Sequence, residues 1–211
     1  MNEGPTGSVT PRIASLCVHG AALGAAGLML AVAGEPIFTD DAWWHLALGR
    51  FFRAAGPWLE NDPLLFAAVA PAPRSSWLWD VALAEVLAAT GFVGLRALHV
   101  ALVTVILALC WSLLRRASGS AAAASLGTIA FIALAAYRLF QLRPDLFSML
   151  ALMTTYRLLV EHRKAPSARQ IALAAALTAL WANVHALFPL VLGLIGAATA
   201  GVAVSAALGA A

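Results

Sequence analysis

The chain has 211 residues, of which 62% are hydrophobic and 11% are charged, and its mean hydropathy is +0.87. Soluble domains carry roughly 25% charged residues, so this composition excludes a water-soluble globule and makes the bilayer the main solvent. The net charge of +3 is small and lies in short loops, which indicates membrane orientation rather than nucleic-acid binding.

Six apolar runs are each near the roughly 20 residues that a helix needs to cross a bilayer, or approach it with flanking residues. The first run is too long for a signal-peptide core of roughly 7–15 residues, so we expect it to be retained as an anchor. The sequence therefore predicts an all-α polytopic membrane protein with about six transmembrane helices. The runs are residues 13–34, 97–114, 120–140, 146–160, 171–184 and 190–209.

The segment 76–90 is a seventh candidate span, but it contains Asp80 and Glu85. If it stays outside the bilayer and Met1 is cytoplasmic, seven Lys and Arg residues lie inside and six outside. If it crosses, four lie inside and nine outside. Cytoplasmic loops carry the excess of basic residues, so we predict that 76–90 is a short juxtamembrane helix on the outer surface.

This topology makes residues 1–12 a cytoplasmic N-terminus and 13–211 a single transmembrane domain in the inner (cytoplasmic) membrane. The first outer loop, 35–96, is long, and long loops in compact proteins are usually functional. Eight of the ten acidic residues fall on the outer face. We therefore expect function to reside there.

The first motif on that face is the segment 39–50. If it is helical, Asp41 and His45 are four residues apart and share one face. Asp40 and Asp41 also fit a simpler interpretation, as acids that cap a helix N-terminus and complement its dipole. Trp44, next to His45, is typical of an interfacial belt and also suits a substrate platform.

The second and third motifs lie at the outer ends of the fourth and fifth predicted spans. Asp145 follows a proline suited to a first helical turn, and Arg143 with Arg138 suits a phosphate clamp because guanidinium forks match phosphate oxygens. Asn183 and His185 form a polar pair at the same membrane depth; a lone interfacial histidine is usually structural, but this pairing favours function. An acid, a cationic clamp and a base together suit group transfer from a phosphate-activated lipid.

In order along the chain, these motifs resemble those of the GT-C superfamily of membrane glycosyltransferases, whose kin include protein mannosyltransferases, aminoarabinose transferases and oligosaccharyltransferase catalytic subunits. The resemblance covers about 36–193, and members continue for several more spans, so the chain corresponds to their N-terminal portion or to a truncated homologue. The matching elements are Asp41-Ala42-Trp43-Trp44-His45-Leu46, Asn61-Asp62-Pro63, Trp77-Leu78-Trp79, Arg143-Pro144-Asp145-Leu146-Phe147-Ser148 and Trp181-Ala182-Asn183-Val184-His185.

The resemblance implies a polyprenyl-phosphate-linked sugar as donor and a catalytic acid in the first outer loop. That acid falls on Asp41 or Asp40, depending on the alignment, and a second acid falls on Asp145. A divalent cation is compatible with these acids, but no spacing requires one. The complete set of candidate site residues is Asp41, Asp40, Asp145 and His45 for catalysis, and Arg143, Arg138, Asn183, His185 and Trp44 for substrate binding.

Two other functions stay open at this stage. A non-catalytic membrane subunit that packs against another multispan protein is favoured by small-residue stretches such as 121–124 and 193–200, which allow close helix packing. A transporter or flippase is disfavoured, because the middles of the spans contain almost no ionisable residues and transport sites lie near the midplane.

Overall fold

The computed structural model describes residues 9–35, 40–67, 69–161 and 165–209. Within these ranges the regular structure is entirely helical. The seven helices are α1 (Val9–Ala33), α2 (Asp40–Ala55), α3 (Trp77–Ser118), α4 (Ala121–Leu139), α5 (Pro144–Leu159), α6 (Ala168–Val184) and α7 (Leu190–Ala207).

Four helices in the described ranges are long and apolar enough to cross a membrane: Arg12–Ala33 of α1, and all of α3, α4 and α7. They make the chain a helical membrane protein, as predicted. Helices α5 and α6 coincide with the fourth and fifth predicted spans but have 16 and 17 residues. At 1.5 Å per residue they are about 25 Å long, somewhat less than the hydrocarbon thickness of about 30 Å. The six-span topology therefore stays a prediction.

Helix α3 contains both the predicted surface helix 76–90 and the predicted span 97–114. Its 42 residues are interrupted at Gly91, which has φ 65° and ψ −163°. This backbone conformation is essentially confined to glycine, because a side chain would be strained there. The two predicted segments are thus both helical and lie on either side of one glycine.

The chain divides into two compact units. The first comprises Met1–Glu35 and His99–Gln141. In it α1 packs along α4, and the buried ring of His99 hydrogen-bonds through Nε2 to the carbonyl oxygen of Leu139 at 2.8 Å. Apart from such polar contacts its core is aliphatic, with Val103 and Ile106 fully buried.

The second unit comprises Pro36–Leu98 and Leu142–Ala211, and it contains α2, α5, α6, α7 and the first part of α3. Helix α2 buries one stripe of small and apolar residues, at positions 42, 46, 49 and 52, with helical spacing. At Gly49 the stripe approaches α3 so closely that a Cβ atom would collide with the backbone carbonyl of Asp80. This crossing fixes the polar residues of α2 beside the start of α3.

Candidate functional site

Arg143, the residue that precedes α5, lies between two carboxylates. Its Nη2 is 2.6 Å from Oδ2 of Asp41 on α2, and its Nε is 3.8 Å from Oδ2 of Asp145 on α5. Because one guanidinium reaches both acids, their carboxylates lie within about 9 Å of each other. The structure therefore brings together three of the predicted site residues, from two outer-loop motifs that are about 100 residues apart in sequence.

These three side chains sit where helices start. Asp41 is in the first turn of α2, and Asp145 is in the first turn of α5 next to Pro144. The positive ends of both helix dipoles favour the two carboxylates, which supports the simpler capping interpretation as well as a functional one. The Arg143 side chain makes no capping hydrogen bond to α5, and its guanidinium forms ion pairs with the two acids instead.

His45, one helical turn after Asp41, is hydrogen-bonded to a buried acid. Its Nδ1 is 2.6 Å from Oδ1 of Asp80 in the first turn of α3, and the hydroxyl of Ser76 donates to Oδ2 of Asp80 at 3.4 Å. The Asp80 side chain is 0% exposed. A buried carboxylate is costly unless it is hydrogen-bonded, so His45 and Ser76 are what permit an acid at this position.

His185, which follows α6, is held by a second buried network. The indole Nε1 of Trp181 donates to Oγ of Ser148 at 2.7 Å, and Oγ of Ser148 is 2.7 Å from Nδ1 of His185. Trp181 is fully buried, and Ser148 is buried on α5. This network joins the start of α5 to the end of α6.

Asn183 joins the end of α6 to the start of α3. Its Oδ1 accepts a hydrogen bond from the indole Nε1 of Trp77 at 3.0 Å, and its Nδ2 donates to the carbonyl oxygen of Ala179 at 2.8 Å. Direct contacts therefore link the starts of α2, α3 and α5 and the end of α6 into one polar cluster. We call this the outer cluster, after the predicted position of its motifs; its residues are Asp41, His45, Ser76, Trp77, Asp80, Arg143, Asp145, Ser148, Trp181, Asn183 and His185.

The remaining predicted site residues are Asp40, Trp44 and Arg138. Asp40 is the first residue of α2, and its side chain lies outside the described part of the structure. Trp44 is exposed on α2. Arg138 is in the last turn of α4, in the other compact unit, where its guanidinium carbon lies 5.6 Å from the centre of the Tyr137 ring.

Sequence reasoning missed five members of the cluster: Ser76, Trp77, Asp80, Ser148 and Trp181. The sequence places the first three in the predicted surface helix, and the last two only in elements that match the family. One signal was present for Asp80, since an acid within a largely apolar helix needs a polar partner. No local signal identifies that partner as His45, which is 35 residues away in sequence.

No family model matches the chain. Likewise, no curated protein and no solved structure matches it.

The outer cluster combines carboxylates, an arginine and two oriented histidines, which are groups that move protons and bind anions. Its acids do not form a multidentate metal site: among the described residues no group of three or more His, Cys, Asp or Glu side chains is placed to hold an ion. Instead Arg143 occupies the space between Asp41 and Asp145. The arrangement suits a reaction in which a guanidinium binds an anionic oxygen and a nearby carboxylate accepts a proton.

Proposed function

We propose that the chain is a membrane glycosyltransferase-like protein that transfers a sugar from a polyprenyl-phosphate donor to an acceptor at the outer face of the membrane. The observation that carries the proposal is the contact of Arg143 with both Asp41 and Asp145. It joins the residues that the GT-C resemblance assigns to catalysis with the arginine that suits phosphate binding. The direct contacts among three predicted outer motifs also support their placement on one side of the bilayer.

The proposed topology has six spans, with the N-terminus in the cytoplasm and the outer cluster on the far side of the inner membrane. A straight helix of 42 residues would be about 63 Å long, twice the hydrocarbon thickness. The interruption of α3 at Gly91 supports a first part along the outer surface and a second part that crosses. Helices α5 and α6 cross with the help of flanking residues or a thinned bilayer.

In the proposed reaction, Arg143 exchanges partners. The Asp41 side chain is 49% exposed and that of Arg143 is 27% exposed, and such an ion pair contributes about 0–1 kcal/mol to stability. A lipid-linked phosphate can therefore displace Asp41, since a guanidinium fork binds phosphate through two hydrogen bonds. Binding of the donor releases the Asp41 carboxylate at the moment when a proton acceptor is needed.

The transfer step then follows from these positions. A nucleophilic O–H or N–H of the acceptor attacks the anomeric carbon, and its proton passes to Asp41. The bond between the anomeric carbon and the phosphate oxygen breaks, and the electron pair leaves with the phosphate. Arg143 stabilises the charge that develops on that oxygen, while Asp145 keeps the guanidinium oriented.

The test is sugar transfer by the full chain in lipid vesicles supplied with radiolabelled polyprenyl-phosphate sugars. We expect Asp41→Asn and Arg143→Lys each to reduce the rate by roughly 100-fold, and Asp145→Asn to reduce it less. Asp40→Asn distinguishes the two alignments of the first-loop acid. The matched control is Glu60→Gln, because Glu60 is an exposed acid of the same loop and lies outside the elements that match the family.

If the variants of Asp40, Asp41, Arg143 and Asp145 all keep wild-type transfer, the proposal is wrong.

The second candidate, a non-catalytic membrane subunit, is favoured by α7, where Val191 is the one buried side chain in the described helix and Gly193 and Gly196 face open space. Co-purification of a stoichiometric partner protein that carries the transfer activity would favour the subunit function instead, provided that Asp41→Asn in this chain leaves that activity unchanged.

A further inference from the structure

We infer that the outer cluster holds its two histidines in opposite tautomers, so that His185 presents a hydrogen-bond donor and His45 an acceptor. Ser148 and Trp181 are then positioning residues for His185, and Asp80 is one for His45. The tautomer of His185 is inferred from hydrogen-bond distances, and that of His45 from its contact with an ionised Asp80. The further assignment of His185 to a phosphate oxygen rests on the proposed function.

The proton on His185 is fixed by a chain of donors. An indole nitrogen can only donate, so the 2.7 Å contact from Nε1 of Trp181 makes Oγ of Ser148 an acceptor. The hydroxyl proton of Ser148 is then directed to Nδ1 of His185 at 2.7 Å, because its other acceptor, the carbonyl oxygen of Pro144, is farther away at 3.4 Å. A neutral imidazole whose Nδ1 accepts carries its proton on Nε2.

The proton on His45 is fixed in the opposite sense. When Asp80 is ionised, its carboxylate has no proton to donate, and Oδ2 also accepts from Ser76. Nδ1 of His45, 2.6 Å from Oδ1 of Asp80, is then the protonated nitrogen. The Nε2 atom of a neutral His45 then carries a lone pair and can accept a hydrogen bond or a proton.

The two hydrogen-bond networks give the two histidines different chemical roles. Through Nε2, His185 meets any partner as a donor, which suits a phosphate oxygen of the lipid-linked donor and excludes a role as general base in this tautomer. Proton acceptance is left to Asp41 and His45, which share one face of α2. A sequence motif that places an asparagine and a histidine side by side cannot reveal this division, since it depends on Ser148, 37 residues away.

The test uses the full chain in lipid nanodiscs with ¹⁵N-labelled histidine, at a pH well above the usual range for imidazole protonation. Imidazole ¹⁵N shifts distinguish protonated from unprotonated ring nitrogens, and the five signals are assigned by changing each histidine to glutamine in turn. We expect an unprotonated Nδ1 in His185 and an unprotonated Nε2 in His45. A protonated Nδ1 in wild-type His185 overturns the inference, and this measurement needs no variant in the network.

Variants then test the positioning residues. Ser148→Ala removes the donor to Nδ1, so we expect His185 to change from one tautomer to a mixture; Trp181→Phe should shift the mixture in the same direction by less. The matched controls are Ser125→Ala and Trp111→Phe, which remove the same two groups from a Trp–Ser hydrogen bond of 3.4 Å in the other compact unit and should leave His185 unchanged. An unaltered His185 signal in Ser148→Ala would contradict the role of Ser148.

Titration with geranyl phosphate tests the ligand. We expect the Nε2–H signal of His185 to shift on binding and Ser148→Ala to weaken binding by roughly three- to tenfold. If that signal does not respond while sugar transfer persists, the assignment to phosphate is wrong and the proposed function stands. If it responds but no polyprenyl-phosphate sugar is transferred, the assignment stands and the proposed function fails.

Discussion

The close crossing of α2 and α3 makes Gly49→Ala the sharpest test of how the outer cluster is assembled. A Cβ atom at Gly49 would lie 2.6 Å from the carbonyl carbon of Asp80 and 3.0 Å from Cβ of Ala84, and nearer still to the carbonyl oxygen of Asp80. Carbon atoms in contact are normally about 3.5–4.0 Å apart. The two helices must therefore separate by roughly 1 Å at this point.

Moving α2 away from α3 would weaken both the packing at Gly49 and the hydrogen bond between His45 and Asp80. Overpacking of a tight contact costs roughly 1–3 kcal/mol. His45 is four residues before Gly49, so the same movement stretches its 2.6 Å bond to Asp80, and a buried charge-assisted hydrogen bond contributes roughly 1.5–3 kcal/mol. The better helix propensity of alanine offsets about 1 kcal/mol. We expect a net loss of roughly 2–4 kcal/mol in the free energy of unfolding.

Thermal unfolding of the purified protein in detergent measures this loss. A destabilisation of that size lowers the Tm of a chain of this length by roughly 5–15 °C. The control is Gly193→Ala, because a Cβ atom at Gly193 of α7 meets nothing within 4 Å. Its Tm should stay the same or rise slightly. A Gly49→Ala protein that is as stable as Gly193→Ala would show that α2 and α3 do not cross at Asp80 as described.

Two further substitutions test other contacts and turns of the second unit by the same thermal assay. Gly91→Ala should lower the free energy of unfolding by roughly 1–3 kcal/mol, because a φ of 65° is strained for alanine even though the Cβ atom would have open space. If this variant is as stable as the control Gly196→Ala, the interruption of α3 is contradicted. Trp77→Phe removes the 3.0 Å bond to Asn183 and should cost roughly 0.5–1.5 kcal/mol. The control Trp58→Phe, at a largely exposed indole, should cost less, and the reverse order would argue against the link between α3 and α6.

The apolar helices were largely predictable from the sequence, because hydropathy carries their signal. The predicted runs at 13–34, 120–140 and 190–209 coincide with α1, α4 and α7 to within a few residues, apart from an earlier start of α1. The bounds of α3 were not predictable as one element. The predicted surface helix ends at residue 90, but helical structure resumes directly after Gly91 because only that residue adopts a non-helical conformation.

The membership of the site was only partly predictable, for a related reason. Asp41, Arg143 and Asp145 were selected by residue type and by position in loops on one face, and the structure places them in contact. The partners of the two histidines were not predictable. Asp80 lies 35 residues from His45, and Ser148 lies 37 residues from His185, in each case on another helix. Hydrogen-bond partners across helices depend on crossing points such as Gly49, which no periodicity specifies.

The burial of Trp181 has a consequence for following the protein in solution. Its ring is 0% exposed, whereas Trp58 is 74% exposed and Trp43 and Trp44 are also open to their surroundings. A collisional quencher therefore extinguishes the fluorescence of the exposed indoles first and leaves the emission of the buried ones, Trp181 and Trp79, the second of which is 6% exposed. Since the Trp181 indole is bonded to the serine that orients His185, its share of the residual emission reports from inside the site.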